Sequence, residues 1–203
     1  IGEKNAEKKT VVIPWILPEE ESPAEESFDI HKEFSLESSS PYLLHVGFLN
    51  HYKQTDVLFE AIRLIRVMNY HTLQFVFCGG GPLCIEGEDL FRDDPRVHFL
   101  GWQKMEMVRS LIGQARIMLI PMSGFVLLES AAAARPVITS NIEWHSEMVE
   151  DGKTGFLVNT KSPEEWVNHI RRMLNDNDFS FHMGAQLKKR YESDYHPRVI
   201  IPK

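Results

Sequence analysis

Residues 117–140, IMLIPMSGFVLLESAAAARPVITS, decide the fold of this chain. An apolar run of strand length ends at Pro121, a short Ser-Gly loop follows, and a segment of helical period begins near Val126. A second apolar run then occupies 136–140. Strand, helix and strand in this order predict a βαβ unit with two parallel strands.

The same alternation extends in both directions from this unit. Strands are predicted at 42–47, 73–79, 96–101, 116–121, 136–140 and 155–158, and helices at 55–68, 103–114, 126–134, 143–150, 162–175 and 179–193. Repeated βαβ units predict an α/β fold of the Rossmann-like type, with a mostly parallel sheet and helices on both faces. Such sheets bind ligands outside the carboxyl ends of their strands, so the loops there are the candidate site.

Length and charge narrow the classes of protein and ligand. The chain has 203 residues, which fits one domain with extensions. Its 22 lysines and arginines against 29 aspartates and glutamates give a net charge of −7, which disfavours nucleic acid as a partner. An anionic ligand must then be held by backbone N–H groups, helix N-termini and a few well-placed cations.

The sequence carries no signal for a metal site or a membrane span. Cys78, Cys84 and the nine scattered histidines lack the spacing of a zinc site, so no protein-held metal is expected. Neither a signal peptide nor an apolar run long enough to cross a membrane is present, and a cytoplasmic location is expected. Peripheral membrane association of the parent protein stays open.

Composition divides the chain into four parts. Residues 18–40 are rich in acidic residues, serine and proline, and they predict an exposed acidic linker. The strand-like run within 1–17 has the character of the end of a preceding domain. The α/β domain is assigned to 41–177, and 178–203 to a carboxyl-terminal helix and tail.

Glycines and one lysine follow the first two predicted strands. Gly47 permits close approach to the backbone, and Lys53 stands where it can reach a diphosphate that the next helix N-terminus also attracts. The alternative is a solvated lysine. Gly79 and Gly80 stand where phosphate-binding turns occur, but Pro82 follows, and a tight turn is an equally good interpretation.

The helix predicted after Pro121 offers the strongest candidate site. It is preceded by Ser123 and begins near Val126 and Leu127, and its free N–H groups at the carboxyl edge of the sheet suit a phosphate. Glu129, an acid among leucines and alanines, can accept hydrogen bonds from ribose hydroxyls, although it can equally be an ordinary helix glutamate. The sequence assigns no catalytic residue.

Five segments, in order, resemble the carboxyl-terminal domain of the family-four retaining glycosyltransferases, which have the two-domain GT-B fold. They are VGFLNHYKQ (46–54), CGGGP (78–82), VHFLG (97–101), PMSGFVLLESAAAARPVI (121–138) and EMVEDGKTGFLV (147–158). The resemblance implies one half of a GT-B architecture, which binds a UDP- or GDP-sugar donor with its base near Gly101 and Trp102. It also implies that an amino-terminal acceptor domain is missing and that the isolated chain does not transfer sugar.

The resemblance further implies how the donor is held. Lys53 would bind the diphosphate, backbone amides at Val126 and Leu127 would contact phosphate, and Glu129 would hold the ribose. No divalent metal is implied, because cationic side chains and a helix N-terminus neutralise the leaving nucleotide diphosphate.

The chain departs from the family pattern at several positions. Phe48 stands where the family has an arginine that pairs with Lys53 on the diphosphate, so one charge-assisted contact is lost. Gln54 and Ala134 replace glycines, and Ala134 is strained if its turn needs a positive φ. Pro121 takes the place of the first of the family's paired glutamates.

The loop between Pro121 and Glu129 is also shorter than in the family. Either it is deleted, or a loop after Ser123 is missing from the printed sequence, and the second interpretation is favoured because both flanks keep the pattern. These losses support an alternative function, a non-catalytic interaction or regulatory module. A GT-B epimerase and a dinucleotide oxidoreductase also stay open, although the latter lacks its GxGxxG motif.

Overall fold

The structure, a computed structural model, describes residues 17, 29–34, 36, 40–68, 70–122, 124–142, 144–159 and 161–200. The strands are β1 (Tyr42–Val46), β2 (Gln74–Cys78), β3 (Val97–Phe99), β4 (Ile117–Ile120), β5 (Val137–Ser140) and β6 (Phe156–Val158). They form one six-stranded sheet in the order β3-β2-β1-β4-β5-β6, and every neighbouring pair is parallel. The predicted Rossmann-like α/β fold is therefore confirmed.

Helices connect the strands and cover both faces of the sheet. They are α1 (Ile30–Glu33), α2 (Thr55–Ile65), α3 (Leu83–Leu90), α4 (Met105–Gln114), α5 (Phe125–Ala132), α6 (His145–Met148), α7 (Pro163–Asn175), α8 (Asn177–Arg190) and α9 (Pro197–Ile200), with a π-helical turn at Tyr191–Tyr195. One face buries an aromatic-rich core with α2, α3 and α7, and the other face packs against α1, α4 and α5. None of these described helices is long and apolar enough to span a bilayer.

The sequence explains these elements locally. The strand β2, QFVFC, is buried at every position, because a parallel sheet covered on both faces needs apolar runs rather than alternation. In α2 the buried residues include Leu58, Ile62 and Ile65, which lie at helical spacing on one face. Ser162 caps α7, since its side chain accepts a hydrogen bond from the Glu165 N–H, and proline follows at the first helical position.

The structure differs from the sequence interpretation mainly at α3, which was not predicted. This helix has only eight residues, contains Gly87, and follows a glycine cluster that suggests a turn. Its burial is limited to Leu83 and Gly87, so it carries little hydrophobic periodicity. The predicted strands are also longer than the observed ones by one to three residues, mostly at their ends, where assignments are least certain.

The described part of 18–40 is not exposed in the way that its composition predicts. Asp29 caps α1 by accepting a hydrogen bond from the Lys32 N–H, and Ile30 is fully buried. Leu36 is also buried, and both side chains belong to the core on the α4 and α5 face. These two apolar residues attach the described part of the acidic segment to the domain. Residues 1–16 and 18–28 lie outside the described residues.

The carboxyl-terminal helix packs on the domain through a close backbone contact. A Cβ at Gly184 of α8 would lie 2.3 Å from the carbonyl oxygen of Ala134, at the end of α5. Met183 and Leu187, on either side of that contact, are buried in the two opposite cores. The helix begins at Asn177, slightly earlier than predicted. Through these contacts it forms part of the same packed unit as the sheet.

Candidate functional site

The strand order changes direction between β1 and β4. From β1 the chain moves outward to β2 and β3, and from β4 it moves outward to β5 and β6 on the other side. The crevice beyond the carboxyl ends of β1 and β4 is thus a topological switch point, the usual ligand site of open α/β sheets. Residues 47–54 border it from the β1 side, and the start of α5 borders it from the β4 side.

Gly47, Gly79 and Gly101 meet through backbone hydrogen bonds at the ends of β1, β2 and β3. The Gly47 N–H donates to the carbonyl of Cys78 at 3.0 Å, and the Gly79 N–H donates to that of Gly101 at 2.8 Å. Gly79 has φ 136°, and a Cβ there would lie 1.9 Å from the Gly47 carbonyl oxygen. Because its N–H is already bonded, Gly79 forms a tight turn and does not offer this N–H to a phosphate.

Gly80 supports an exposed pair of aromatic rings. A Cβ at Gly80 would lie 2.4 Å from Nε1 of Trp102, so the indole rests directly on the glycine backbone. Trp102 is 72% exposed, and Phe48 beside it is 45% exposed. Their rings are inclined by 24° with centroids 6.3 Å apart. We call Phe48 and Trp102 the aromatic shelf.

Lys53 lies in the loop before α2. Its N–H donates to Oδ1 of Asn50 at 2.7 Å, which closes the turn, and its Nζ lies 5.6 Å from the centroid of the Tyr52 ring. No carboxylate of the described residues forms an ion pair with Lys53, whereas His51 next to it contacts Asp56 at 3.1 Å. The Lys53 ammonium is therefore available to a ligand.

The two positions where the sequence has lost a glycine of the family pattern both have left-handed backbone. Gln54 has φ 56° and Ala134 has φ 54°, and no other non-glycine among the described residues has a positive φ. The expectation of strain at Ala134 is therefore confirmed. Left-handed backbone places Cβ near a carbonyl oxygen, which costs about 1–2 kcal/mol per residue.

Gly124 is the residue before α5, and it has no side chain that could cap the helix. Val126 and Leu127 are buried there, and the Leu127 N–H donates to the Gly124 carbonyl at 3.2 Å, so the first turn is tight. Glu129 is half-buried, and Ser130 beside it bonds the Val126 carbonyl. Ser123 lies outside the described residues, and the length of the loop around it stays a prediction.

His45 is a buried polar residue of this region that the sequence interpretation missed. Its Nδ1 donates to the Leu119 carbonyl at 3.0 Å, which joins β1 to β4 at the switch point, and its Nε2 has no partner among the described residues. Burial lowers the pKa of His45 to about 4, so the ring is neutral near pH 7. A histidine inside the apolar run YLLHV was the signal available.

Polar groups also gather at the carboxyl ends of β5 and β6. A cavity of about 420 Å³ opens there, lined by Asn141, Ile142, Leu157, Val158, Asn159 and Glu165. The Glu165 carboxylate accepts a hydrogen bond from the Asn159 N–H at 2.7 Å, which holds the loop after β6. These residues were not among the predicted site residues.

The described residues contain no group of three or more histidine, cysteine, aspartate or glutamate side chains that could hold a metal ion. Cys78 and Cys84 are free thiols, and burial raises the pKa of Cys78 to about 11. At this edge, the Lys53 ammonium and helix N-termini offer positive charge to an anion.

A family model described as "Glycosyl transferases group 1" matches residues 40–176. Among curated proteins, the chain is 25% identical over 178 residues to an uncharacterized glycosyltransferase of Methanocaldococcus jannaschii. That match covers 84% of this chain and 45% of the relative, so the chain spans less than half the length of that protein.

Solved structures of low sequence identity share the fold. Anabaena HepE in complex with UDP and glucose superposes with a TM-score of 0.73 at 17% identity, over 84% of this chain and 48% of that one. The C-terminal domain of the group 1 glycosyl transferase LpcC from Francisella tularensis superposes with a TM-score of 0.70 at 18% identity, over 86% of this chain and 95% of that domain. The α/β unit therefore matches both a domain solved by itself and part of a larger protein.

Proposed function

The chain belongs to the group 1 glycosyltransferases, and from that membership we propose that its α/β domain binds a UDP- or GDP-sugar as the donor half of a retaining enzyme. The observation that carries this proposal is the switch point between β1 and β4, bordered by Lys53 on one side and by the N-terminus of α5 on the other. Both are features that attract a diphosphate.

The chemistry follows from where negative charge develops. When the glycosidic bond to the donor breaks, the leaving nucleotide diphosphate gains charge, and the Lys53 ammonium together with the α5 N-terminus stabilises it. Neither group has to be recruited from an ion pair, since Lys53 pairs with no carboxylate of the described residues. A protein-held metal is not required in this proposal.

The remaining donor contacts are assigned from the family resemblance. Glu129, one turn into α5, is half-buried and accepts hydrogen bonds from the ribose hydroxyls. The base lies toward Gly101 and Trp102, at the end of β3. The acceptor binds to a part of the parent protein outside this chain, a proposal supported by the relative of more than twice this span.

A second candidate is a non-catalytic interaction or regulatory module with a glycosyltransferase fold. Phe48 and Pro121 favour it, because they stand where the family resemblance places an arginine and a glutamate. Sugar transfer by the full-length parent protein would rule out this candidate.

The donor proposal is tested by titrating the 203-residue chain with UDP and GDP by calorimetry. We expect one of them to bind, and we expect Lys53→Met to weaken that binding about tenfold, because a charge-assisted contact to phosphate is worth about 1.5–3 kcal/mol. Lys189→Met, which removes an exposed lysine on α8, is the matched control and leaves the affinity unchanged. The proposal is refuted if neither UDP nor GDP binds at millimolar concentration.

A further inference from the structure

The aromatic shelf is a surface feature that the donor site described so far does not use in full. Phe48 follows β1 and Trp102 follows β3, so the two rings lie at the same carboxyl edge and span the end of β2 between them. Both rings are exposed and nearly parallel. Single exposed apolar side chains are common, but an ordered pair of aromatic rings at a ligand-binding edge provides a surface for another planar group.

The glycine loop fixes the orientation of this surface. The indole of Trp102 lies on Gly80 so closely that any side chain at position 80 would displace it. The Leu49 N–H donates to the Gly80 carbonyl at 2.9 Å, so the backbone that carries Phe48 is tied to the same glycine. The two rings are therefore held against one rigid loop, and a ligand that stacks on them needs little further ordering of the protein.

The charge at this edge points in the same direction. Phe48 occupies the position at which the family resemblance places a second cation, and a phenyl ring cannot pair with a phosphate. Lys53 then neutralises the diphosphate without an arginine beside it, which weakens the charge-assisted part of nucleotide binding. Stacking of one base on aromatic side chains contributes about tenfold to a hundredfold in affinity, comparable with the lost contact.

We propose that the aromatic shelf stacks the nucleobase of the donor and replaces the missing cation, so that this domain recognises the nucleoside more strongly than the diphosphate. The inference rests on the proposed function, since it assigns a part of the same donor to a surface of the same site. It predicts that a nucleoside monophosphate binds almost as well as the diphosphate. It also predicts a shallow dependence of nucleotide affinity on salt, because few charges are paired.

The experiment is calorimetric titration of the 203-residue chain with UMP, UDP, GMP and GDP at low and high salt. For the preferred base, we expect the diphosphate to bind less than about tenfold more tightly than the monophosphate. Trp102→Ala and Phe48→Ala each weaken both nucleotides by about the same factor, and Trp102→Phe, which keeps a stacking ring, restores most of the affinity. Phe48→Arg increases the preference for the diphosphate and steepens the salt dependence.

The control is Phe181→Ala, because Phe181 on α8 is 46% exposed, close to the 45% of Phe48, but lies in a cavity wall at the opposite edge of the sheet. We expect it to leave every affinity unchanged. Thermal unfolding of each variant shows that it is folded before its affinity is compared.

The outcomes separate the inference from the function on which it rests. The stacking proposal is overturned if both alanine variants keep the parent's nucleotide affinity. If Lys53→Met still weakens binding in that case, the donor-site proposal is retained. A Phe48→Arg variant with no gain in diphosphate preference also overturns it. If no nucleotide binds to the unmodified chain, both proposals fail together.

Discussion

The two edges of the sheet use their cations in opposite ways. At the amino edge, Arg96, Arg116 and Arg135 precede β3, β4 and β5, and each of them donates hydrogen bonds to backbone carbonyl oxygens. At the carboxyl edge, the Lys53 ammonium contacts an aromatic ring and no carboxylate of the described residues. These three arginines hold the fold together, whereas Lys53 at the carboxyl edge is available to a ligand.

Arg116 illustrates the structural use of a cation. It donates to the Met173 carbonyl at 2.9 Å, to the Ser180 hydroxyl at 2.8 Å and to the Asn177 side chain, and these bonds join the start of β4 to α7 and α8. A cavity of about 620 Å³ lies beside it, larger than the cavity at the carboxyl edge. Cavity size is therefore a poor guide here, because the cation that lines the larger cavity is already bonded.

The largest change in stability is expected from a substitution in the backbone of the carboxyl edge itself. We expect Gly79→Ala to lower the free energy of unfolding by about 4 kcal/mol, because the added Cβ combines overpacking with a left-handed backbone. The Cβ would lie 1.9 Å from the Gly47 carbonyl oxygen. Urea unfolding measures the change. Gly113→Ala is the control, since a Cβ there meets no atom within 4 Å, and it should stabilise α4 slightly.

Acid should lower the stability of the fold through His45, because burial disfavours the charged form of its ring. The pKa of His45 is about 4 in the folded protein and about 6.5 in the unfolded chain. The stabilisation that comes from keeping this ring neutral is therefore fully present above about pH 6.5. It is lost as the pH falls from about 6.5 toward about 4, and the total loss is about 3 kcal/mol.

Urea unfolding across that pH range measures the effect of His45, and His45→Gln is the comparison variant. The variant should show a shallower loss of stability with acid, while His98 and His169, whose pKa values are also lowered by burial, contribute equally to both proteins. Identical pH profiles for the two proteins would mean that His45 is not the group responsible.

The contrast between the edges is tested most directly by removing one cation from each. Arg116→Met should lower the free energy of unfolding by about 2 kcal/mol, because it removes hydrogen bonds from a charged donor, and should leave nucleotide affinity unchanged. Lys53→Met should do the reverse, with stability within about 0.5 kcal/mol of the parent and weaker nucleotide binding. The comparison fails if both variants lose stability and affinity together.

The smallest expected effect concerns Gln54 and Ala134, one near each edge. Replacing either residue by glycine relieves the cost of a left-handed backbone, although glycine also increases the entropy of the unfolded chain. We expect a net gain of about 0.5–1 kcal/mol for each change, approximately additive because the sites are independent. Thermal unfolding of the two single variants and the double variant checks this, and a loss of stability in either one would show that its side chain makes a compensating contact.

The fold could be predicted well from the sequence, because each strand of a parallel sheet with helices on both faces is an apolar run between two helical segments. It also identified Gln54 and Ala134, since a lost glycine leaves a visible substitution. It did not predict α3, where a glycine and a short length hide the helical period, or the burial of Ile30 in an acidic segment. The aromatic shelf joins residues that follow two different strands, and the His45 bond joins two strands, so only the three-dimensional arrangement brings these residues together.

The contact between Gly184 and the Ala134 carbonyl has a consequence for how this domain diverges. Position 184 has no room for a side chain as long as α8 crosses the end of α5 at this depth. Any substitution there must lift the helix, and with it the π-helical turn and α9 that continue from it. Among relatives, glycine at this position should therefore accompany a close approach of the carboxyl-terminal helix to the end of α5, and a larger residue should accompany a wider separation. This relation should not depend on the nucleotide that the domain prefers.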